Sequence, residues 1–296
     1  MTYARHDPPD DADSLPRMPA WVTSARPETS EDAAFLSGAA LSHLHLLLCQ
    51  GGVPQTLLRA RLALRAAEIC VTHQGRRERA SELRDAAAFL QPGDSPGPAG
   101  EVYAAWRLAV ARPVSSKTLQ RALPGLDPDR IATWLDAGQG APLPRAASVL
   151  QAVVEERPRD HNASLLLADA SLAQALGWRH VLPLLALGLK RADLRKSGGD
   201  LRRACHRAIV VAAVEAARQA GDLARRAERL RGVAPKLRAK GAEEAVAQVL
   251  SQDAVAPTAL TALRSARAAR RFCDRLVELG AVRELTGRDT FRLYGV

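Results

Sequence analysis

The chain has 296 residues, with 42 Lys and Arg against 32 Asp and Glu, a formal net charge of +10 and only 4% aromatic residues. That length supports a sizeable core in one large domain or two, and the dominance of Ala, Leu and Arg, all strong helix formers, predicts an all-α body. No apolar run approaches the ~20 residues of a membrane span, the acidic, Pro-rich start is no secretory leader, and Cys49, Cys70, Cys205 and Cys273 have neither metal nor redox spacing. A cytoplasmic protein with reduced thiols, no membrane, no metal and no cofactor is expected.

Charge is unevenly spread. Residues 1–32 carry 3 basic and 7 acidic residues, whereas residues 201–296 carry 19 basic and 10 acidic ones. A basic carboxy-terminal third suits an acidic partner such as nucleic acid. Solvated helix faces would produce the same excess.

Taken in order, residues 1–27 are rich in Asp, Pro and Arg without periodicity and are expected to form a disordered leader, anchored at most by Trp21. Helical structure is predicted to begin where Thr29 or Ser30 caps a first turn carrying Glu31 and Asp32, acids that favour the positive end of the helix dipole. That helix runs to about Cys49, with Phe35, Leu36, Ala39, Ala40, His43, Leu44 and Leu47 at core spacing, and Gly51-Gly52 ends it. Further helices are predicted over 54–73, 76–90, 99–112, 115–122, 128–137, 144–156, 161–177, 181–190, 200–230 and 233–250, with 257–263 leading into the tail. The whole of 28–250 reads as a helical domain, and no fixed-period repeat is present.

The tail, 257–296, has a different pattern. Ser265 stands at an N-cap position, and 266–279 is free of Gly and Pro. Ala269, Phe272, Leu276 and Leu279 fall on one side, and Arg264, Arg267, Arg270, Arg271 and Arg275 on the other. Gly280 is a natural helix stop. Two β-type segments, 281–285 and 290–294, then flank a turn containing Gly287, with Arg288 and Arg292 in or beside it. Basic helix, Gly and hairpin are the closing parts of a winged helix, so the expected architecture is an all-α body with a small carboxy-terminal winged-helix-like module.

Catalytic patterns are absent. There is no Gly-x-Ser-x-Gly elbow, Walker loop or His-Glu-x-x-His. His43 and His45, near Ser37 and Ser42, lie at i and i+2 and so point to different sides of a helix. The pairs Glu155-Glu156 and Glu243-Glu244 read as solvated faces, and Gly198-Gly199-Asp200 as a helix start. Residues 118–137 read as a plain helix–helix connection, because Ile131, Trp134 and Leu135 call for burial.

The runs 26–41, 62–68, 91–100 and 132–138, together with the tail from Gly280 to Val296, resemble a bacterial family of unknown function, which implies no transferable activity. More distantly, the order of parts is similar to Fic-domain proteins, whose helical body carries a catalytic loop and ends in a winged helix with a phrase like Leu285-Thr286-Gly287-Arg288. The segment corresponding to the Fic loop here is Arg157-Pro158-Arg159-Asp160-His161-Asn162-Ala163-Ser164. Arg157 stands where that family has its catalytic His and cannot serve as a base, both loop glycines are missing, and the segment is one residue short. The resemblance thus implies a degenerate, non-catalytic member.

The functional expectation is a DNA-binding regulator that contacts double-stranded DNA through Arg264, Arg267, Arg270, Arg271, Arg275, Arg288 and Arg292. Two alternatives stay open: a protein-interaction or structural helical protein with the tail as a docking element, and an enzyme with a non-standard site in the helical body.

Overall fold

A computed structural model describes residues 15–91, 93–237, 239–288 and 290–296. Of the leader expected over 1–27, residues 1–14 lie outside these. Within 15–27, α1 (Ala20–Ser24) buries Val22, and Leu15 and Met18 rest against the core, while most of the other residues are exposed. Trp21 is exposed and stacks on Phe35, centroid to centroid 5.5 Å. Phe35 is therefore on the outer face of its helix, not at the core position its spacing suggested.

The body is helical. After α2 (Ser30–Leu48) come α3 (Gln55–His73), α4 (Ala80–Phe89), α5 (Gly97–Ala111), α6 (Ser116–Ala122), α7 (Pro128–Asp136), α8 (Pro142–Glu156), α9 (His161–Ala175), α10 (Leu184–Gly188) and α11 (Gly198–Val233). The start of α2 follows from its capping chemistry. The Thr29 hydroxyl accepts the Asp32 N–H at 3.0 Å, and the Asp32 carboxylate accepts the Thr29 N–H at 3.0 Å, so two otherwise orphaned donors are satisfied reciprocally.

The centre of the body is α9. Every residue from Asn162 to Ala173 is buried, which is why its pattern is apolar on all sides. It packs on α8, α3, α5, α7 and α10. Within it, the buried Asp169 carboxylate accepts the N–H groups of Leu185 at 2.7 Å and Ala186 at 3.1 Å, capping α10. Burial pushes this carboxyl up to about 8, against the opposing pull of those amides. α11 lays a seam of Ala204, Ala208, Ala212, Ala213, Ala216 and Ala220 toward α2 and α10. These small residues let the backbones approach closely. A Cβ added at Gly188 would sit 2.2 Å from the Ala208 carbonyl oxygen, so only glycine fits there.

Several predicted helices are shorter than their patterns, among them 76–90, which is helical only over Ala80–Phe89. The segment 181–190 is helical only over Leu184–Gly188, where the Asp169 cap supplies the first turn. The expected helix 233–250 is split: α11 runs on to Val233, a 3-10 turn follows at Ala234–Lys236, and α12 covers Ala242–Val249. Gly241 at φ +87 makes the break, and a Cβ there would meet the Ala262 carbonyl oxygen at 2.2 Å. The lead-in 257–263 is a single 3-10 turn, Pro257–Ala259.

The tail contains α13 (Ala266–Glu278), β1 (Arg283–Glu284) and β2 (Tyr294–Gly295). β1 and β2 are antiparallel, pairing Arg283 with Gly295 and Glu284 with Tyr294, and Val255 bridges Tyr294 from the other side. The paired strands are much shorter than 281–285 and 290–294, because Arg288 and Phe291 are drawn toward α4 by Asp85 and Phe89. Val255, Leu260, Leu263, Val282, Tyr294 and Val296 belong to the same apolar cluster as α3 and α5.

A buried charge cluster fastens this junction. The Asp253 carboxylate accepts Arg61 Nε at 2.8 Å and Arg84 Nε at 2.5 Å, while Arg61 Nη2 donates to the Val296 carbonyl oxygen at 2.6 Å. Among the described residues no helix is long and apolar enough to cross a membrane.

Candidate nucleic-acid interface

α13 is set by local chemistry at both ends. The Ser265 hydroxyl accepts the Ala268 N–H at 3.2 Å, and Gly280 at φ +65 ends the helix. Ala269, Phe272, Cys273 and Leu276 are buried, which forces the opposite side outward. Arg264, Arg267, Arg270, Arg271 and Arg275 are all exposed. They are not electrostatically equivalent. Asp274 and Glu278 fall on the same face, and Arg275 pairs with Glu278 at 2.8 Å. Among the described residues, Arg264, Arg267, Arg270 and Arg271 form no ion pair. The uncompensated charge therefore lies on the amino-terminal half of the helix, where the helix dipole also favours an anion.

The two hairpin arginines sit differently. Arg288 pairs with Asp85 on α4 at 3.1 Å, and Arg292 Nε donates to the Arg288 carbonyl oxygen at 3.0 Å. Phe291, at φ 57, meets Phe89 edge-on with centroids 5.6 Å apart. The loop that a winged helix would offer to solvent is held against α4. Tyr294 ties the hairpin to α13 through a long hydroxyl contact, 3.4 Å, to Asp274.

Sequence reasoning did not single out a second basic feature beside this helix. A cleft of about 420 Å³ opens between α11 and the hairpin, lined by Arg225, Arg226, Arg229 and Arg283 over a floor of Ala281, Val282 and Val296. Burial, then the guanidinium groups of Arg283, Arg61 and Arg225, hold Arg226 below the usual arginine range. The signal was present as Arg225-Arg226 and Arg229 at i, i+1 and i+4 on one helix. Arg283, 54 positions on from Arg229, is brought in only by the fold.

The other candidates resolve into structural roles. The His45 Nδ1 accepts the Trp178 indole N–H at 2.9 Å. Ser37 Oγ lies 2.7 Å from His206 Nδ1 and also donates to the Ala34 carbonyl oxygen at 2.9 Å. Both pairs border a cavity of about 490 Å³. However, Ser37 is mid-helix, and no described carboxylate orients His206, so the nucleophile–base–orienter chain of an acyl-transfer site is incomplete.

In the segment 157–164, Arg157 ends α8 and pairs with Asp160 at 3.3 Å, and Asp160 caps α9. His161 meets His73 edge-on at 6.2 Å. Burial, followed by His161 and Arg191, pushes His73 down to about 4. None of the cavities described above is lined by residues 157–164. Burial also pushes the Cys70, Cys205 and Cys273 thiols up to about 12, which removes them as nucleophiles near neutral pH. Among the described residues, no three His, Cys, Asp or Glu side chains are grouped as metal ligands.

Over residues 6–296 the chain matches the family described as "Protein of unknown function (DUF1403)", and it belongs to that family. No curated protein matches it.

Proposed function

We propose that the protein binds double-stranded DNA through the amino-terminal half of α13, as a non-catalytic regulator. The observation that carries this reading is the exposed set Arg264, Arg267, Arg270 and Arg271, which has no ion-pair partner among the described residues and sits where a helix is most attractive to phosphate. The order of elements supports it. α12, the Val255 bridge, the Pro257–Ala259 turn, α13, β1 and β2 follow one another as the parts of a winged helix do, with Tyr294 central in the pairing. The 3-10 turn replaces the middle helix, which shortens the module. In helix–turn–helix relatives of this arrangement, the amino-terminal residues of the recognition helix reach the base edges. The reading also places the protein in the cytoplasm, in keeping with four free cysteines.

The test is binding of the full chain to DNA duplexes across a salt series. Affinity should fall steeply with salt, and Arg267→Ala with Arg271→Ala should lower the slope by about two, since each neutralised phosphate contributes about one unit. Thermal stability should be nearly unchanged, because both side chains are exposed. No binding by the wild-type chain at low salt would leave the tail as a structural cap on α4, the role that Arg288–Asp85 and Phe291–Phe89 favour.

A further inference from the structure

We infer that the cleft between α11 and the hairpin is a binding site for a multiply charged phosphate-class oxyanion, of about diphosphate size. Four guanidinium groups, Arg225, Arg226 and Arg229 from α11 and Arg283 from β1, line one concave space of about 420 Å³. Asp222 is the one carboxylate side chain among the described lining residues, and it is already shared by Arg225 and Arg218. Arg229 makes one long contact, 3.5 Å, to the Gly280 carbonyl oxygen. Neither Arg226 nor Arg283 forms an ion pair or a side-chain hydrogen bond among the described residues.

Like charges brought together at the edge of an apolar floor repel one another more strongly than they would in open water. Folding brings Arg283 to the arginines of α11 and creates that repulsion. A bound anion relieves it. Guanidinium is the side chain best matched to such a ligand, because its planar fork donates two parallel N–H groups to a pair of oxygens. This cleft is distinct from the α13 face, so the two assignments stand or fall separately.

The source of the phosphate is either a free phosphorylated small molecule or the backbone of bound DNA. The experiment is calorimetric titration of the full chain with inorganic pyrophosphate at constant ionic strength, with chloride as the balancing anion. The wild type should bind, and Arg226→Gln with Arg283→Gln should weaken binding by about tenfold or more, the loss expected from removing charge-assisted contacts. Arg229→Gln, an exposed single change, provides a second variant should the double one fail to fold, and it should also weaken binding. Arg267→Ala with Arg271→Ala should bind pyrophosphate as the wild type does.

Failure of the wild type to bind pyrophosphate overturns the site, as does equal binding by folded cleft variants, while the duplex titration continues to judge α13. Loss of pyrophosphate binding when a short DNA duplex is present assigns the site to backbone phosphate. Undiminished binding alongside the duplex assigns it to a free ligand. Both of these last outcomes support the site.

Discussion

The arginines of this protein occupy two kinds of setting, and the contrast is clearest between the hairpin loop and α13. Arg288 is matched to Asp85, and at the root of the tail Arg61 and Arg84 are matched to Asp253. Arg264, Arg267, Arg270 and Arg271 are presented without an ion-pair partner among the described residues. The same side chain thus closes one surface and leaves the other charged. Arg61 and Arg84 are largely buried and are tolerated because they are paired, whereas an exposed charge costs little whether or not it is paired. Basic composition alone cannot distinguish these settings; the carboxylates opposite do.

The largest expected effect is on the matched side. Asp253→Ala leaves Arg61 and Arg84, with side chains only 18% and 19% exposed, facing each other without a counter-charge. Chemical denaturation should register a loss of about 3–5 kcal/mol. A loss under about 1 kcal/mol, the range of surface pairs, would mean that the clamp is no different from an exposed pair and would erase the contrast.

A pH series separates the body from both basic regions, because no arginine titrates in the range concerned. The unfolded His73 imidazole takes up a proton below about 6.5, the folded one only near 4. Between those values the unfolded state binds more protons, so stability falls as pH drops through that window, by up to roughly 3 kcal/mol. His161 shifts in the same direction, through burial first. The His73→Leu protein should keep more of its neutral-pH stability near pH 4. An unchanged pH profile in that variant would show that His73 does not drive the loss.

The smallest effect is expected for Arg288→Ala. Its side chain is 56% exposed, so breaking the pair with Asp85 should cost no more than about 1 kcal/mol. The salt slope of duplex binding should not move. A fall of about one unit would mean that this arginine also reaches phosphate, and the hairpin would join α13 as a contact surface.

Elements whose ends are fixed by neighbouring residues were legible in the sequence. Thr29 and Ser265 each cap with their own side chains, and Gly280 stops α13 by its own backbone freedom. The five α13 arginines were placed on the outer face by periodicity, and all five are exposed. What was hidden depends on distant partners. The shortness of α10 reflects Asp169, a carboxylate from another helix. The folded-back hairpin reflects Asp85 and Phe89. The cleft needs Arg283 delivered to α11 by β-pairing. Phe35 misled because apolar spacing identifies a stripe but not its edge, and at that edge Trp21 covers it from outside the core.

The Asp253 clamp also bears on the order in which the molecule is assembled. Its carboxylate meets Arg84 across 169 positions and Arg61 across 192. Closing loops of that size costs entropy before any contact is rewarded, so contacts so far apart in sequence tend to form late in folding. Losing a late contact shows mainly in the rate of escape from the native state, while the rate of reaching it changes little. The expected outcome for Asp253→Ala is thus faster unfolding with a nearly unchanged folding rate, read by stopped-flow denaturation. For the proposed DNA-reading helix, Asp253 is then one of the contacts that hold its mounting on the body, together with Arg288–Asp85 and the shared apolar cluster, without itself touching the ligand.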